Sequence, residues 1–201
     1  LSSAASDVYK RQLYIRPSEG EHEVYRVTIE EFCRICELYY NSTGDTKKDA
    51  GLRLMRQIKL LIKACSVPHL ISGYYGEDYP SKTRYIETLI RKIPGKVAIG
   101  CTTIAAFDLY ESYIRERFPD RQIYVVKGDV AFKKRQSIVT EFDPTINGIL
   151  ICTQQSLSSS VNIPTCNDVI LESLQWNISK MEQFYFCLLY TSPSPRDRTR
   201  S

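Results

Sequence analysis

The first part of the chain has the apolar spacing of amphipathic helices. Apolar side chains recur three and four positions apart in residues 30–40 and again in residues 52–65, so each segment is predicted to be a helix with one buried face. The polar cluster at residues 41–46 predicts a turn between the two helices. Pro68 predicts the end of the second helix, because the residue before a proline is pushed out of helical geometry.

A loop and a third helix complete this predicted helical extension, which covers residues 13–94. Residues 72–80 are rich in tyrosine and glycine and are expected to form the loop. Ser81 is placed to cap a helix over residues 82–92, which Pro94 terminates.

From Lys96 onward the pattern changes to short apolar runs that alternate with helical periods. Four runs have the length and β-branched character of strands buried on both faces, namely residues 96–101, 122–126, 148–152 and 168–171. Helical periods occupy residues 104–118 and 131–142. Strands alternating with helices predict a parallel sheet with right-handed crossovers, and therefore a three-layer α/β domain over residues 95–186.

The composition is that of an ordinary globular domain. Of 201 residues, 43% are hydrophobic and 25% are charged, which excludes a disordered tail or a coil. No run approaches the roughly twenty apolar residues that span a bilayer, and residues 1–12 lack the apolar core of a signal peptide. We therefore expect a soluble, cytoplasmic protein with no membrane partner.

Both ends of the chain differ from the part between them. Residues 7–12 and 187–191 can be encoded by the two complementary strands of one short DNA sequence, which resembles the transposon-end adaptors of sequencing libraries. We expect residues 1–12 and 187–201 to be translated adaptor and residues 13–186 to be an internal piece of a longer protein, although a natural arm and tail is the alternative. The ends carry three of the four net positive charges, which leaves +1 for the part between them.

The cysteines do not form a recognisable disulfide framework or zinc site. Cys33 and Cys36 have the CxxC spacing, but no second CxxC or histidine pair accompanies them, and no secretory signal is present. They fall within a helical pattern, so free thiols buried on an amphipathic helix are the preferred interpretation. A redox or zinc role is the alternative.

Polar residues follow each of the four predicted strands, at the edge where an open parallel sheet binds its ligands. The four loops contain Thr102 with Thr103, Lys127 with Gly128, residues 153–162 and residues 172–177. Hydroxyl, amide and backbone N–H donors of this kind suit the phosphate oxygens of a nucleic-acid backbone. The alternative is that Thr103 is only a helix cap and the serine run only a solvated loop.

No motif for independent chemistry is present. The chain lacks the phosphate loop GxxxxGK[ST], a GxGxxG after a strand, HExxH and GxSxG. His22 and His69 lie outside the four loops, and His69 is expected to be a packed turn residue. The absence of a glycine fingerprint disfavours a dinucleotide or nucleotide-sugar enzyme on a similar sheet.

The order of these segments resembles the second RecA-like lobe of superfamily-two helicases and translocases of the DEAD/DEAH type, nearest to the Swi/Snf-like branch. The resemblance covers roughly residues 50–186 and is carried by residues 96–114, 127–142, 149–164 and 168–186, together with the helical segments before them. It implies a RecA-like, P-loop NTPase-like α/β fold.

The resemblance also implies contacts between this sheet edge and a nucleic-acid backbone. The residues that match the family's motifs on this side are Thr102, Thr103, Lys127, Gly128, Thr153, Ser158 and Ser159. Arg135, Ile138 and Phe142 match a helix that packs on the sheet, with Arg135 as an ion-pairing structural residue. The family usually has a glycine where this chain has Ser160, so the loop departs from the pattern there.

Two further residues match the nucleotide side of the family. Asn162 falls where the family turns toward the ribose, and Gln183 begins the final motif. The family places an arginine four residues later, where this chain has Cys187. The resemblance therefore implies that ATP and Mg are bound by the complete parent protein, with a missing N-terminal RecA-like lobe, and that this chain alone has no catalytic residues.

The sequence thus predicts a piece of an ATP-driven helicase or translocase whose partner is nucleic acid, DNA more than RNA. A non-catalytic RecA-like module that only binds nucleic acid is the alternative. It is favoured by Ser160 and by the net charge of only +1 between the ends.

Overall fold

The chain is described here from a computed structural model, which covers residues 11–128, 130–157, 166, 168–174 and 179. Two compact units are present. One is Tyr14–Tyr85, and the other combines Leu1–Leu13 with the residues from Ile86 onward, which include the sheet. No helix in the part of the chain that is covered has the length and hydropathy needed to cross a bilayer.

Two long helices, α1 (Glu19–Asn41) and α2 (Gly44–Ser66), make up most of the first unit. Only two residues join them, so they run antiparallel, and the buried Gln57 side chain of α2 donates to the Thr28 carbonyl of α1 at 2.9 Å. Both helices are longer than the sequence predicts, and the predicted turn at residues 41–46 is wrong by several residues. Gly44 has a φ of +58°, which glycine adopts without strain, and this lets α2 begin at once.

A capping box explains why α1 begins well before its apolar period. The Ser18 hydroxyl accepts from the Glu21 backbone N–H at 3.4 Å, and the Glu21 carboxylate accepts from the Ser18 N–H at 2.5 Å. The same carboxylate accepts from the backbone N–H and the hydroxyl of Ser81, at 2.7 Å and 2.6 Å. Glu21 therefore ties the start of α1 to the start of the third helix, α3 (Ser81–Lys92).

The predicted burial of the CxxC thiols is wrong, although their position within a helix is confirmed. Cys33 is exposed and Cys36 is half-buried, while Ile35 is buried. A residue two positions from a buried one lies about 200° around an α-helix, so Cys33 points away from the packed stripe. The end of α2 at Ser66 and of α3 at Lys92 are as Pro68 and Pro94 predict.

The second unit is built on a four-stranded sheet of order β2-β3-β1-β4 in which every pair is parallel. The strands are β1 (Val97–Cys101), β2 (Ile123–Val126), β3 (Ile149–Thr153) and β4 (Asp168–Leu171). The helices between and after them are α4 (Ile104–Arg117), α5 (Phe132–Phe142) and the short α6 (Gln154–Leu157). This confirms the predicted parallel sheet with its alternating helices.

The core lies on both faces of the two central strands. Every residue of β1 and β3 is buried, as expected for strands covered on two sides. On one face Val139 and Phe142 of α5 pack against β2 and β3, with Ile138 beside them, as the sequence predicts. The aromatic side chains of α4, including the fully buried Phe107, are also part of the core. The architecture is the expected three-layer α/β lobe.

One guanidinium joins several segments at the amino end of the sheet. Arg121, just before β2, donates to the carbonyls of Gly95 at 2.7 Å and Asn147 at 2.6 Å. It also donates to the carbonyls of Ile90 and Ile93, at 3.3 Å and 3.4 Å, and so completes the hydrogen bonding at the end of α3. Burial lowers the pKa of Arg121.

Candidate nucleic-acid interface

The parallel register brings the ends of all four strands to one edge of the sheet. Cys101 lies opposite Thr153, Val126 opposite Cys152, and Gly100 opposite Leu171. Neighbouring strands are about 4.8 Å apart, so the residues that follow them are neighbours too. The sequence-predicted residues that the structure places at this edge are Thr102, Thr103, Lys127, Gly128 and Thr153. Ser158, Ser159, Asn162 and Gln183 lie outside the described residues.

Thr103 caps α4 at this edge. Its hydroxyl accepts from the Ala106 backbone N–H at 3.1 Å, and its carbonyl accepts from the Phe107 N–H at 3.0 Å. The ordinary role considered for Thr103 is therefore present. Because the N-terminus of a helix carries unpaired N–H groups and a partial positive charge, the start of α4 also favours an anion at this edge.

Thr102 is paired with a buried carboxylate. Its hydroxyl donates to Glu172 Oε2 at 3.4 Å, and the Ser173 hydroxyl donates to Glu172 Oε1 at 2.9 Å. Glu172 follows β4 and is only 4% exposed. The hydrogen bond from Thr102 is long and therefore weak, so the hydroxyl can donate to another acceptor in place of Glu172 at little cost in free energy.

The one lysine predicted for the interface is held by an ion pair. Lys127 Nζ lies 2.6 Å from Asp108 Oδ1 of α4 and 4.8 Å from the centroid of the Phe107 ring. Both partners of the pair are partly exposed to solvent. A phosphate at this edge would therefore compete with Asp108 for the ammonium group, and the net gain is smaller than a free lysine would give.

Gly128 lies at the surface of the edge, and Thr153 lies beneath it. Gly128 is exposed, and a Cβ placed on it would meet only Thr153 Oγ1, at 3.9 Å. The Thr153 side chain is buried, and its hydroxyl has no hydrogen-bond partner among the residues that the structure describes. A ligand can approach the backbone of Gly128 closely, whereas the hydroxyl of Thr153 lies beneath that surface.

Buried side chains that sequence reasoning missed brace this edge. Gln154 is fully buried and its Nε2 donates to the carbonyls of Gly100 at 3.1 Å and Ser173 at 2.7 Å, which links the ends of β1 and β4. The Ser156 hydroxyl donates to the Val126 carbonyl at 3.1 Å. A glutamine directly after a buried strand was the available signal, because an amide in a buried segment must find hydrogen-bond partners.

Arg135 differs from the ion-pairing role expected of it. Its Nε donates to the Val130 carbonyl and its NH1 to the Ser156 carbonyl, both at 2.7 Å. Both acceptors are uncharged backbone carbonyls, so among the described residues Arg135 acts as a hydrogen-bond donor to the backbone and not as the partner of a carboxylate. The first turn of α5 is thereby bonded to the segment that follows β3.

The thiols near the edge are unsuited to nucleophilic chemistry. Burial raises the pKa of Cys101 well above its usual range, with Glu172 and Cys152 adding to the effect, and burial also raises the pKa of Cys152. A protonated thiol is a poor nucleophile. Among the described residues no three carboxylate, imidazole or thiol side chains are grouped to hold a metal ion.

The parallel three-layer lobe, with hydroxyls, a glycine and a helix N-terminus at its carboxyl edge, has the architecture of a RecA-like α/β domain. The family described as helicase conserved C-terminal domain matches residues 81–185, a little over half of the chain. The chain belongs to this family. No curated protein sequence matches the chain.

Solved structures share the fold. The C-terminal part of the Fun30 ATPase domain is similar with a TM-score of 0.68 at 13% identity, over 89% of this chain and 79% of that one. The C-terminal domain of the Sulfolobus solfataricus SWI2/SNF2 ATPase gives 0.62 at 18% identity, over 82% and 72%. The core of that ATPase in complex with dsDNA gives 0.61 at 17% identity, over 80% of this chain and 34% of that one. These similarities confirm the fold of the second lobe of SWI2/SNF2 ATPases.

Proposed function

We propose that the chain is the second motor lobe of an ATP-driven DNA helicase or translocase, and that its carboxyl sheet edge contacts the nucleic-acid backbone. The observation that carries the proposal is the gathering of Thr102, Thr103, Lys127 and Gly128 at that edge, in a chain of the helicase C-terminal family. Contacts of this kind position a backbone without reading base sequence.

The geometry supports a division of work among these residues. The Thr102 hydroxyl, the start of α4 behind Thr103 and the exposed backbone of Gly128 are the donors that a phosphate can reach. Lys127 joins them when a phosphate replaces Asp108 as its partner. Thr153 supports the surface from beneath, and Ser158 and Ser159 extend it in the proposal.

DNA is the proposed substrate, in keeping with a fold neighbour that was solved in complex with dsDNA. ATP and Mg belong to the complete parent protein, where an N-terminal RecA-like lobe would supply the phosphate loop and the metal-binding carboxylate. In this proposal Asn162 and Gln183 form the part of the ATP interface that this chain contributes. Opening and closing of the two lobes then moves the motor along the strand.

A non-catalytic RecA-like module that only binds nucleic acid is the second candidate. Ser160, where the family usually has glycine, and the net charge of +1 between the chain ends favour it. Both candidates bind a backbone at the same edge, so the first experiment tests what they share.

The experiment measures binding of a labelled duplex DNA to the full chain by fluorescence anisotropy at increasing salt. We expect weak binding whose affinity falls with salt, with a slope of roughly −2 to −3 in a log–log plot, because few phosphates are contacted. Lys127→Ala should weaken binding, whereas Asp108→Asn should strengthen it by releasing the same lysine.

The control is Asp120→Asn, which removes a carboxylate near the opposite end of the sheet and should leave binding unchanged. Binding that is independent of salt, or equal in the Lys127→Ala and Asp108→Asn variants, would contradict the proposal. Repeating the titration with RNA of the same length tests the preference for DNA.

A further inference from the structure

An exposed aromatic side chain follows one of the loops of the proposed interface. Phe132 is the first residue of α5 and is 45% exposed. It lies on the same helical stripe as Val139 and Phe142, which are 7% and 0% exposed, because positions three, four and seven apart share a face. The stripe that packs on the sheet therefore ends in a large ring that is left partly in solvent.

Hydrogen bonds hold the start of α5, the helix that carries this ring. Arg135, one turn after Phe132, bonds to the carbonyls of Val130 and Ser156, and the Ser156 hydroxyl donates to the carbonyls of Val126 and Thr153, the last residues of β2 and β3. The first turn of α5 is thus anchored at the carboxyl edge of the sheet. Phe132, as the first residue of α5, is therefore placed near this edge.

The surroundings of the ring are positively charged. Lys133 and Lys134 follow Phe132 and are exposed. Residues 127–135 contain four cationic side chains and one acid, Asp129, for a net charge of +3, compared with +1 for residues 13–186 as a whole. Two exposed lysines therefore follow the Phe132 ring directly along α5.

We propose that Phe132 stacks on an unpaired base of the bound polynucleotide, while Lys133 and Lys134 contact the adjoining phosphates. An exposed aromatic ring beside cationic side chains is the combination that binds single-stranded nucleic acid, since every base offers a stacking face. The inference rests on the proposed function and deepens it, because it names single-stranded or locally opened nucleic acid as the form that this edge holds.

The test compares an oligothymidylate with an abasic oligonucleotide of the same length, using the full chain. The two probes present the same phosphates and differ only in the bases. The unaltered chain should bind the oligothymidylate roughly five- to hundredfold more tightly, the range expected for one stacked base. Phe132→Ala should abolish most of that preference without changing affinity for the abasic probe, and Phe132→Trp should retain it.

Three companion variants separate the possible causes. Lys133→Ala should weaken both probes equally and reduce the salt slope by about one. Phe132→Leu keeps an apolar side chain, so retention of the full preference by this variant would show a general apolar contact and overturn stacking. Ile146→Ala, at another exposed apolar position, should change neither probe. The circular dichroism spectrum and thermal midpoint of each variant verify that it is folded.

The outcomes distinguish this inference from the function on which it rests. If Phe132→Ala has no effect on the preference while Lys127→Ala weakens both probes, the stacking inference is wrong and the backbone interface stands. If the unaltered chain binds neither probe at low salt but binds duplex DNA, the stacking inference is wrong and the backbone interface stands; if it binds none of the three, both are wrong. Equal binding of both probes by the unaltered chain also overturns stacking.

Discussion

At the residue scale, three polar side chains of the sheet edge already have partners within the chain. Lys127 is paired with Asp108, Thr102 with Glu172, and the Thr103 hydroxyl with the backbone of α4. A phosphate must therefore replace weak internal partners instead of filling empty positions. This makes binding at the edge weaker than the number of donors suggests, and readily reversible.

The first prediction concerns two glycines within helices. Alanine normally stabilises a helix relative to glycine by roughly 0.5–1 kcal/mol. Gly20 of α1 should behave in the opposite way, because a Cβ there would lie 1.7 Å from the Tyr75 carbonyl oxygen, a backbone atom that cannot rotate away. We expect Gly20→Ala to destabilise the fold by roughly 1–3 kcal/mol in urea unfolding.

Gly51→Ala is the matched control in α2. Its new Cβ would meet only the Tyr39 ring, at 3.4 Å, and this side chain can adjust. The variant should be as stable as the unaltered chain or up to about 1 kcal/mol more stable. Equal effects at the two positions would show that the approach of Tyr75 to α1 is not a constraint on folding.

At the scale of elements, Glu21 couples the starts of two helices to pH. Burial acts to raise its pKa, but the hydrogen bonds from Ser81 and Ser18 outweigh it, so the pKa is lowered from 4.5. Because the folded pKa is below the unfolded one, the stabilisation is fully present above the unfolded pKa and is lost as pH falls through the folded value.

The corresponding prediction uses Glu21→Gln. The variant should be less stable than the unaltered chain at neutral pH, and the difference in unfolding free energy should shrink as the pH falls below 4.5 and through the lowered pKa of the folded chain. Urea unfolding at a series of pH values measures it. Glu37→Gln, at an exposed position of α1, gives the effect of removing a carboxylate that does not bond to Ser81. If the loss of unfolding free energy in Glu21→Gln did not change with pH, the ionised Glu21 carboxylate would not be the source of the stabilisation.

The elements also show what periodicity can and cannot predict. The four strands are predictable because uninterrupted apolar runs such as residues 148–152 have few alternatives to burial in a parallel sheet. The starts of α1 and α2 are not, since they depend on polar groups, a capping box at Ser18 and a positive φ at Gly44, which leave no apolar period. The predicted burial of Cys33 is wrong because the packed face of α1 is narrow and does not include this position.

The candidate site follows the same division. Its location is predictable from topology alone, because parallel strands end at a common edge. The pairing of Lys127 with Asp108 and of Thr102 with Glu172 is not, since these partners lie 19 and 70 positions away along the chain. The helical period at residues 131–142 includes Phe132 but does not predict its exposure. An aromatic residue at the start of a helix that follows a strand end was the available signal for a ring near the site.

At the scale of the whole molecule, the proposed motor and the proposed binding module predict different genes. If the chain is one lobe of a motor, the uninterrupted gene should encode a phosphate-loop lysine upstream and an arginine four positions after Gln183, because phosphoryl transfer needs both. Sequencing the uninterrupted gene provides the measurement. Intact flanking regions with neither residue would leave only the binding module.

Because Arg121 bonds to backbone carbonyls, the amino end of the sheet should be insensitive to salt. Ion pairs on a protein surface weaken as electrolyte is added, and so do contacts to phosphates. The bonds from Arg121 go to uncharged acceptors in a partly buried position, where dissolved ions have little influence. A salt concentration that dissociates a polynucleotide from the carboxyl edge of the sheet should therefore leave the Arg121 hydrogen bonds at the amino end intact. Nucleic acid could then be removed without destabilising the lobe.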